Sequence, residues 1–135
     1  MPKTTVISLG GSLIFPDDLD KKFLIGFKKV IEKYASKNHK FAIICGGGRL
    51  ARNLQEVASS AKKLSNEELD WIGIYATKIN AQLLKSFFGD AAEENIISNP
   101  NLKIKSRKNI LIASGWIPGW STDNDAVLLA KNLGA

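Results

Sequence analysis

An apolar run leads directly into three glycines at Phe41-Ala42-Ile43-Ile44-Cys45-Gly46-Gly47-Gly48. Five apolar residues without a polar interruption are typical of a strand buried on both faces, as in a parallel sheet. Apolar residues at helical spacing follow at positions 50, 54, 57, 58 and 61. The segment therefore predicts a buried strand, a tight glycine turn and a helix, the repeating unit of α/β proteins.

The same succession occurs on both sides of this segment. A β-rich stretch at 4–9 runs into Gly10-Gly11-Ser12, and a second apolar stretch at 109–113 runs into a Gly-, Pro- and Trp-rich loop from Ser114 to Thr122. Ile96-Ile97 is consistent with a short additional strand. Strands that alternate with helices predict an α/β fold with a mostly parallel sheet.

Three further helices are predicted from apolar residues at helical spacing. They cover residues 18–37, 65–89 and 122–133. Asp17 or Asp18 is a suitable N-cap for the first of them. Ser65, followed by two glutamates, is a suitable start for the second, because carboxylates are stabilised in the first turn of a helix.

Composition and length limit the class of protein. The 135 residues fit one domain, or one lobe of a larger one, and 44% hydrophobic with 24% charged residues excludes a disordered chain. No apolar run approaches the ~18 residues of a membrane span, and we expect no membrane partner. The single cysteine, Cys45, cannot form an internal disulfide. Together with the absence of a signal-peptide pattern, this predicts a cytoplasmic protein.

The chain carries a formal net charge of +6. A solvated basic surface explains this charge most simply, whereas the functional alternative is a positive field that attracts a phosphorylated metabolite. An RNA partner is a third alternative, but no zinc-finger, RRM or KH signature supports it. We therefore expect no nucleic-acid partner.

Ligands of open α/β sheets bind beyond the carboxyl ends of the strands, where the three special loops fall. Glycines let phosphate oxygens approach backbone N–H groups, and a following helix adds its positive N-terminal end. The pattern is neither a Walker A loop nor Gly-x-Gly-x-x-Gly. Arg52, one helical turn beyond Gly48, could reach a bound phosphate, although a solvated surface arginine is the plain alternative.

These motifs resemble the amino acid kinase superfamily, in the same order and over essentially the whole chain. The resemblance rests on Val6-Ile7-Ser8-Leu9-Gly10-Gly11-Ser12, on Gly46-Gly47-Gly48-Arg49-Leu50-Ala51-Arg52 and on Gly115 through Asp123. The segment from Asp70 to Ala81 resembles the signature of archaeal-like uridylate (UMP) kinases. Its aspartate is followed by Gly at +3, Ala-Thr at +6 and +7, and Asn at +10.

The resemblance implies a three-layer α/β/α fold and transfer of the γ-phosphoryl group of ATP to UMP, with Mg²⁺ bound through the nucleotide rather than by the protein. It also implies a homo-oligomer, usually a hexamer. The residues implied to contact the ATP phosphates are Gly10, Gly11, Ser12, Gly48 and Arg52. Those implied to contact UMP are Gly47, Asp70, Gly115, Trp116, Ile117, Pro118, Gly119, Trp120, Ser121 and Thr122.

Arg52 and Asp123 are the candidate catalytic residues on this resemblance. Asp70 would accept hydrogen bonds from the ribose hydroxyls, and Thr122 would donate one to the UMP phosphate. Asp123 would help to hold the phosphate loop or a metal-bound water; as a plain alternative it is a carboxylate favoured at a helix start.

Three departures from the family pattern matter. Ser8 stands where many members have a lysine that neutralises the transferring phosphate. His39 does not follow the glycine triplet, which disfavours an isopentenyl phosphate kinase, and it is expected in a surface loop. Members also extend well beyond residue 135, so we expect residues 1–135 to be the phosphate-acceptor lobe without the ATP lobe, and to be weak or inactive alone.

Two alternatives to a UMP kinase stay open. One is a non-catalytic nucleotide-binding module, and the other is a different small-molecule kinase of the superfamily. Among the remaining residues, Trp116 and Trp120 could cover the nucleotide or pack a subunit contact, but we expect them first of all to fill the interior of their loop. Cys45 is expected to be a buried hydrophobe. Asp125 is expected only to add charge to its turn. Thr77 and Asn80 share a helix face with Asp70, so they could reach one ligand or satisfy one another in the core.

Overall fold

A computed structural model describes residues 3–14 and 21–135. Its strands are β1 (Thr4–Leu9), β2 (Lys40–Cys45) and β3 (Ile110–Ala113). Its helices are α1 (Gly11–Ile14), α2 (Lys21–Ala35), α3 (Gly48–Ser59), α4 (Asn66–Phe88) and α5 (Thr122–Leu133), with a short 3-10 turn at Gly89–Ala91. The three strands and the helices after the glycine turns agree with the sequence prediction.

The sheet has the order β1-β2-β3 with all neighbours parallel. Alternate residues of β2 enter two separate cores: Phe41, Ile43 and Cys45 face one side, and Ala42 and Ile44 the other. A strand that is apolar at every position needs cover on both faces, which the helices supply. The predicted α/β fold and its three-layer α/β/α arrangement are therefore confirmed.

Helices α2 and α4 cover the first face, and α5 covers the second. Leu24 and Ile31 of α2 and Leu84 and Phe88 of α4 are buried in the first core. Leu129 of α5 is fully buried in the second core. Helix α3 packs on α4 rather than on the sheet, and this brings the helix after the glycine triplet beside the long helix.

The predicted short strand at Ile96-Ile97 is reduced to one bridge. Ile97 pairs in parallel with Ala113, and a second isolated bridge joins Ala92 to Ile110. The Ile97 N–H donates to the Ile112 carbonyl over 2.9 Å. Polar residues at 93–95 separate the bridges, and such residues are poor strand formers, so a continuous ladder does not develop.

Two serines begin the helices that border the site. The Ser65 side chain accepts from the Glu68 N–H, and the Ser121 side chain accepts from the Asn124 N–H. The first of these caps confirms the predicted helix start at Ser65. The predicted caps Asp17 and Asp18 lie outside the described residues. Within the described ranges, no helix has both the length and the apolar character needed to cross a membrane.

Candidate functional site

The turns after β1 and β2 are packed backbone against backbone. A Cβ placed on Gly11 would lie 2.5 Å from the Gly46 carbonyl oxygen, and one on Gly48 would collide with the backbone of Gly11 and Ser12. Gly48 also has a φ of +55°, a conformation that side chains disfavour. The two glycine turns therefore form one unit, which explains these two glycines without any ligand.

Gly10 differs from Gly11 and Gly48, because nothing lies within 4 Å of a Cβ built on it. The residue is exposed and follows the last residue of β1. On the other side of the glycine unit, α3 begins at Gly48 with Gly47 as its N-cap, and no side chain caps it. The N-cap residue of α3 is therefore a glycine, which supplies no side-chain cap at the end of the helix that favours anions.

Helix α4 ties the loops after β2 and β3 to one rigid element. The Asn80 amide donates to the carbonyls of Gly46 and Gly47, over 2.9 Å and 3.3 Å. The Thr77 hydroxyl accepts from the Gly115 N–H at 2.8 Å. Thr77 and Asn80 thus bind loop backbone rather than one another, and they set the spacing between the two loops.

The aspartate on the same helix face holds the outer part of the β3 loop. Asp70 Oδ2 accepts from the Gly119 N–H over 3.0 Å, while no described residue bonds to Oδ1. Gly119 has a φ of +87°, so the turn at the loop tip needs glycine. Asp70 therefore has one carboxylate oxygen engaged and one available beside the loop.

Between α4 and this loop lies a cleft of about 390 Å³. Seven of the predicted UMP-contacting residues line it: Asp70, Gly115, Ile117, Gly119, Trp120, Ser121 and Thr122. Its other walls are Gln55, Gly73, Ile74 and Thr77. The cleft combines an available carboxylate oxygen, three hydroxyl side chains and the N-terminus of α5, so it can bind both a hydroxylated and an anionic group.

Three of the predicted UMP-contacting residues, Gly47, Trp116 and Pro118, lie outside this lining. Trp116 and Trp120 contact each other with ring centroids 5.8 Å apart, as expected for side chains that fill the loop, but Trp120 is 44% exposed and also faces the cleft. Pro118 belongs to the same loop. Gly47 lies behind the cleft, where a Cβ would meet Ala51 and the Gly73 carbonyl.

The predicted phosphate-facing residues form a second group next to the cleft. Arg52 Nη2 donates to Ser12 Oγ over 3.4 Å, which brings α3 and α1 together above the glycine unit. Gly46 joins this group to the cleft, because a Cβ on it would lie 3.1 Å from the Gly11 N and 3.7 Å from Thr122 Oγ1. The two groups are thus adjacent and share the glycine triplet.

Asp123 and Ser8 are directly bonded at the edge of this region. The Ser8 hydroxyl donates to Asp123 Oδ1 over 2.7 Å, and both side chains are exposed. Ser8 therefore contributes a hydroxyl, and no positive charge, next to Asp123. Among the residues described, no group of three or more His, Cys, Asp or Glu side chains could hold a metal ion.

The prediction for Asp125 was wrong. The residue is fully buried instead of adding charge to an exposed turn, and neither of its carboxylate oxygens has a well-formed hydrogen bond within the described chain. Burial raises its pKa, while the backbone N–H of Trp116 acts against that rise. The position follows from helix periodicity, because Asp125 lies one turn before the buried Leu129 on the inward face of α5.

Cys45 and His39 take no part in the site. Cys45 is fully buried, as expected, and burial raises the pKa of its thiol to about 12. His39 precedes β2 at the amino end of the sheet, where its Nε2 lies 2.8 Å from Thr5 Oγ1 and its ring stacks on Phe41. It is half-buried rather than a free loop residue, because this stacking covers its ring.

A larger cleft of about 450 Å³ lies near the C-terminal end of α4, lined among others by Lys85, Asp90, Glu93 and Lys108. It is at the amino end of β3, near the bridge between Ala92 and Ile110. Ligands of parallel sheets bind at the carboxyl ends, so we place the site in the cleft beside Asp70.

The sequence analysis missed Gln55 and Ile74 as cleft residues. Gln55 Nε2 donates to the Leu69 carbonyl over 2.9 Å, which ties α3 to α4 at the cleft floor. Ile74 is buried and lies between Gly73 and Thr77 on α4. Its position at +4 from Asp70 was the available signal, since residues four apart share one helix face.

The comparisons with known proteins agree on one family. The sequence model of the amino acid kinase family matches residues 3–135. Uridylate kinases of Thermococcus sibiricus and Methanoregula boonei are 36% and 34% identical, over 96% and 98% of this chain. The chain covers 58% and 56% of these two proteins, so it spans slightly more than half the length of the curated relatives it matches.

Solved structures agree with the sequence comparison. The uridylate kinase of Archaeoglobus fulgidus superimposes with a TM-score of 0.84 at 32% identity, over 98% of this chain and 59% of that one. A UMP kinase of Bacillus anthracis shares the fold, with a TM-score of 0.74 at 20% identity over 99% and 62% of the two chains. From the family match, the order of the glycine turns and the shared fold, we conclude that this chain belongs to the amino acid kinase family.

Proposed function

We propose that this chain carries the UMP-binding half of a uridylate kinase, which transfers a phosphoryl group from ATP to UMP. The observation that carries the proposal is Asp70 at the rim of the cleft, with Oδ2 held by the Gly119 N–H and Oδ1 available. An available carboxylate oxygen accepts from paired ribose hydroxyls. Relatives that are named uridylate kinases support the choice of acceptor.

The cleft provides for the phosphate of UMP as well. Thr122 begins α5 and faces the cleft, so its hydroxyl and the N-terminus of the helix point to the same anionic group. Asp70 would then bind the nucleoside end and Thr122 the phosphate end. This arrangement orients the phosphate towards Gly46, which connects the cleft to the glycine unit.

The residues of the glycine unit fit the phosphates of ATP. Gly10 has open space above it, and α3 begins behind a glycine N-cap that brings no side chain between the helix N-terminus and a ligand. Arg52, bonded only loosely to Ser12 at 3.4 Å, can turn towards a phosphate without breaking a strong contact. ATP with its Mg²⁺, when bound, supplies the phosphoryl group, whereas this chain's residues position the two phosphates and stabilise their charge.

The whole protein's activity also includes the part of the relatives that this chain does not span. We propose that residues 3–135 are sufficient to bind UMP weakly but transfer phosphoryl groups poorly or not at all. The test is a calorimetric titration of the chain with UMP and with AMP. We expect saturable binding of UMP and none of AMP. Because the ribose and the phosphate are common to both nucleotides, this discrimination would come from the cleft walls around the base.

The Asp70→Asn variant tests the proposed site more sharply than the comparison of UMP with AMP. An amide in place of the carboxylate offers a weaker acceptor to the ribose hydroxyls, so UMP affinity is expected to fall about tenfold. Asp90→Asn is the matched control, because Asp90 is exposed and lies at the opposite end of the sheet. Equal binding of UMP and AMP, or an Asp70→Asn variant with unchanged affinity, would overturn the choice of UMP.

One observation favours a non-catalytic nucleotide-binding module as second candidate. Ser8 brings no positive charge to the reaction centre, and its hydroxyl proton is directed at Asp123. Arg52→Ala distinguishes the two in a chain extended to the length of the relatives. An enzyme should lose turnover far more than UMP affinity, whereas a binding module shows no turnover before or after the change.

A further inference from the structure

The Gln55 side chain of α3 carries an amide whose orientation is fixed by α4. Its Nε2 donates to the Leu69 carbonyl over 2.9 Å. A carbonyl oxygen can only accept, so the amide nitrogen must face Leu69 and the amide oxygen, Oε1, must face away from it. Gln55 and Asp70 line the same cleft. The amide thus uses its donor end to join the two helices, and its acceptor end is left over.

The acceptor end of Gln55 is open to a ligand. No described residue donates to Oε1, and the side chain is half-buried. Among the described residues, the sealed side-chain oxygens without a partner are Asn80 Oδ1 and the two of Asp125, and Gln55 Oε1 is not one of them. Solvent therefore reaches Oε1, and a hydroxyl group of a molecule in the cleft can reach it too.

The space that this amide occupies exists because residue 73 is a glycine. A Cβ built on Gly73 would lie only 3.1 Å from Gln55 Nε2. Gly73 follows Asp70 by three residues on α4, and residues at this spacing share one helix face. The Gln55 amide therefore lies on the face of α4 that carries Asp70, at a place where α4 has no side chain of its own.

Two acceptors are thus neighbours in this part of the cleft, Asp70 Oδ1 and Gln55 Oε1. The other oxygen of Asp70, Oδ2, already accepts from the Gly119 N–H. A ribose brings two hydroxyls on neighbouring carbons, and hydrogen bonds weaken steeply as they bend. Two acceptors therefore bind the pair of hydroxyls better than a single carboxylate oxygen does.

We propose that Gln55 is a specificity residue, which accepts a hydrogen bond from one ribose hydroxyl of UMP while Asp70 accepts from the other. The two acceptors together distinguish a ribonucleotide from a deoxyribonucleotide. Arg52 lies three residues before Gln55, so α3 carries one residue for the phosphates and one for the ribose. The inference rests on the proposed function, because it assigns a second residue to the ribose of the same ligand.

The test compares UMP with 2′-deoxy-UMP and 3′-deoxy-UMP, each of which lacks one hydroxyl and adds no bulk. Calorimetric titration of the chain measures the three affinities. We expect each deoxy analogue to bind about five- to tenfold more weakly than UMP, as for the loss of one hydrogen bond. If the removal of either hydroxyl leaves the affinity unchanged, the ribose does not engage two acceptors and the inference is wrong.

Substitutions at position 55 identify the acceptor. Gln55→Ala removes it, so this variant should lose the preference for UMP over one analogue and keep the preference over the other. Asp70→Asn should weaken the preference that Gln55→Ala keeps. Gln55→Glu keeps an acceptor but, when ionised, cannot donate to the Leu69 carbonyl, so it should retain both preferences.

Gln82→Ala is the matched control. Gln82 is an exposed glutamine of α4 that lines the other cleft. Its substitution should leave the affinities for all three ligands unchanged, which shows that loss of a glutamine from these helices is not by itself enough.

A purely structural Gln55 gives a different result. If it only joins α3 to α4, Gln55→Ala weakens UMP and both analogues by the same factor, and the inference is overturned. It is also overturned if Gln55→Glu loses the same preference as Gln55→Ala, because the bond to Leu69 then matters and the acceptor does not.

Two further outcomes are decided in advance. Should Gln55→Ala fail to fold, Gln55→Lys takes its place, since lysine can donate to the Leu69 carbonyl but has no acceptor, and its charge acts on all three ligands alike. It must lose one preference, or the inference fails. If the unsubstituted chain binds no UMP, the proposed function fails and the inference with it, whereas UMP binding with unaltered preferences in the position-55 variants overturns the role of Gln55 alone.

Discussion

The Ser8 hydroxyl at the end of β1 donates a hydrogen bond to Asp123 Oδ1 at the start of α5, over 2.7 Å. This contact joins the first strand to the last helix at the carboxyl edge of the sheet. A hydroxyl has one proton, and here that proton is directed at the carboxylate. The negative charge of Asp123 thus stays without a cationic neighbour in this contact, at the place where the proposed phosphates would meet.

Ser8→Lys should strengthen the binding of phosphate ligands. An ammonium at this position would lie within reach of Asp123 and of a phosphate above Gly10, and such charge pairs near a surface are worth about 1 kcal/mol. We expect ATP affinity to rise about fivefold at low salt and the gain to shrink as salt is added. Titration calorimetry at two salt concentrations measures both effects.

Ser8→Met is the control for this substitution. It has a similar length and no charge, so it removes the hydrogen bond to Asp123 without adding an attraction for phosphate. An equal rise in ATP affinity for the Met and Lys variants would show that charge at position 8 is irrelevant, against the expectation.

Two glycines of the site should respond in opposite ways to alanine. Gly48→Ala forces a Cβ against the backbone of Gly11 and requires a φ of +55°, so it should destabilise the fold by about 3 kcal/mol or more. Gly10→Ala meets nothing within 4 Å and should change stability by less than about 0.5 kcal/mol. Urea unfolding compares the two variants.

Gly10→Ala also has a second readout. Its methyl group would project into the open space assigned to the ATP phosphates, so nucleotide affinity should fall while stability does not. An unchanged affinity would mean that the space above Gly10 is not used by a ligand, and that Gly10 is only a turn residue.

Asn80 should contribute more to stability than an asparagine with similar bonds near the surface. Asn80→Ala removes the donors to the Gly46 and Gly47 carbonyls and leaves a void at a fully buried position, which costs about 2–4 kcal/mol. Asn132 also donates to two carbonyls, those of Pro100 and Leu102, but its side chain is exposed. Asn132→Ala should cost about 1 kcal/mol. Similar losses for both variants in urea unfolding would contradict a special role for Asn80.

The elements of this fold are predictable because local signals agree. The uninterrupted apolar run at 41–45 requires cover on both faces, and the Ser65 cap marks the start of α4. Loop contacts are less accessible to sequence reasoning. The packing of Gly11 on the glycine triplet depends on how β1 and β2 align, and sequence patterns predict glycine turns without predicting that two of them touch.

The burial of the Asp125 side chain likewise could not be predicted from sequence patterns. Charge patterns assign an aspartate in a first helical turn to solvent, where it usually lies. Its burial follows from the packing of α5 on the sheet, which is a tertiary feature. In contrast, the loop from Ser114 to Thr122 was predictable as a ligand-facing loop, because the ends of parallel strands gather their loops at one edge. Asp70 lies on α4 and was singled out only by the family resemblance.

Cys45 should be unreactive in the folded chain. Burial raises the pKa of its thiol to about 12, so only about one molecule in ten thousand carries a thiolate at pH 8, and the reagent has no access to it. We expect labelling with a thiol reagent to follow the unfolding rate. Ser98→Cys, at an exposed position, is the positive control and should label at once. Rapid labelling of Cys45 under native conditions would mean that the first core opens readily.

Asp125 should give the stability a distinct pH dependence. Burial raises its folded-state pKa above the ordinary value of 3.8, so the folded chain binds this proton more tightly than the unfolded chain does. The destabilising effect of the charged form is fully present above the folded pKa and is lost as the pH falls towards 3.8. Relative to Asp125→Asn, the unsubstituted chain should therefore gain stability as the pH is lowered from neutral.

Urea unfolding of the two chains across this pH range measures the effect. Glu93 has the opposite dependence, because its hydrogen bond from Ser106 lowers its pKa, but both chains contain Glu93 and its contribution cancels in the difference. A difference that stays constant, or that falls as the pH is lowered, would mean that the Asp125 carboxylate is stabilised in its charged form.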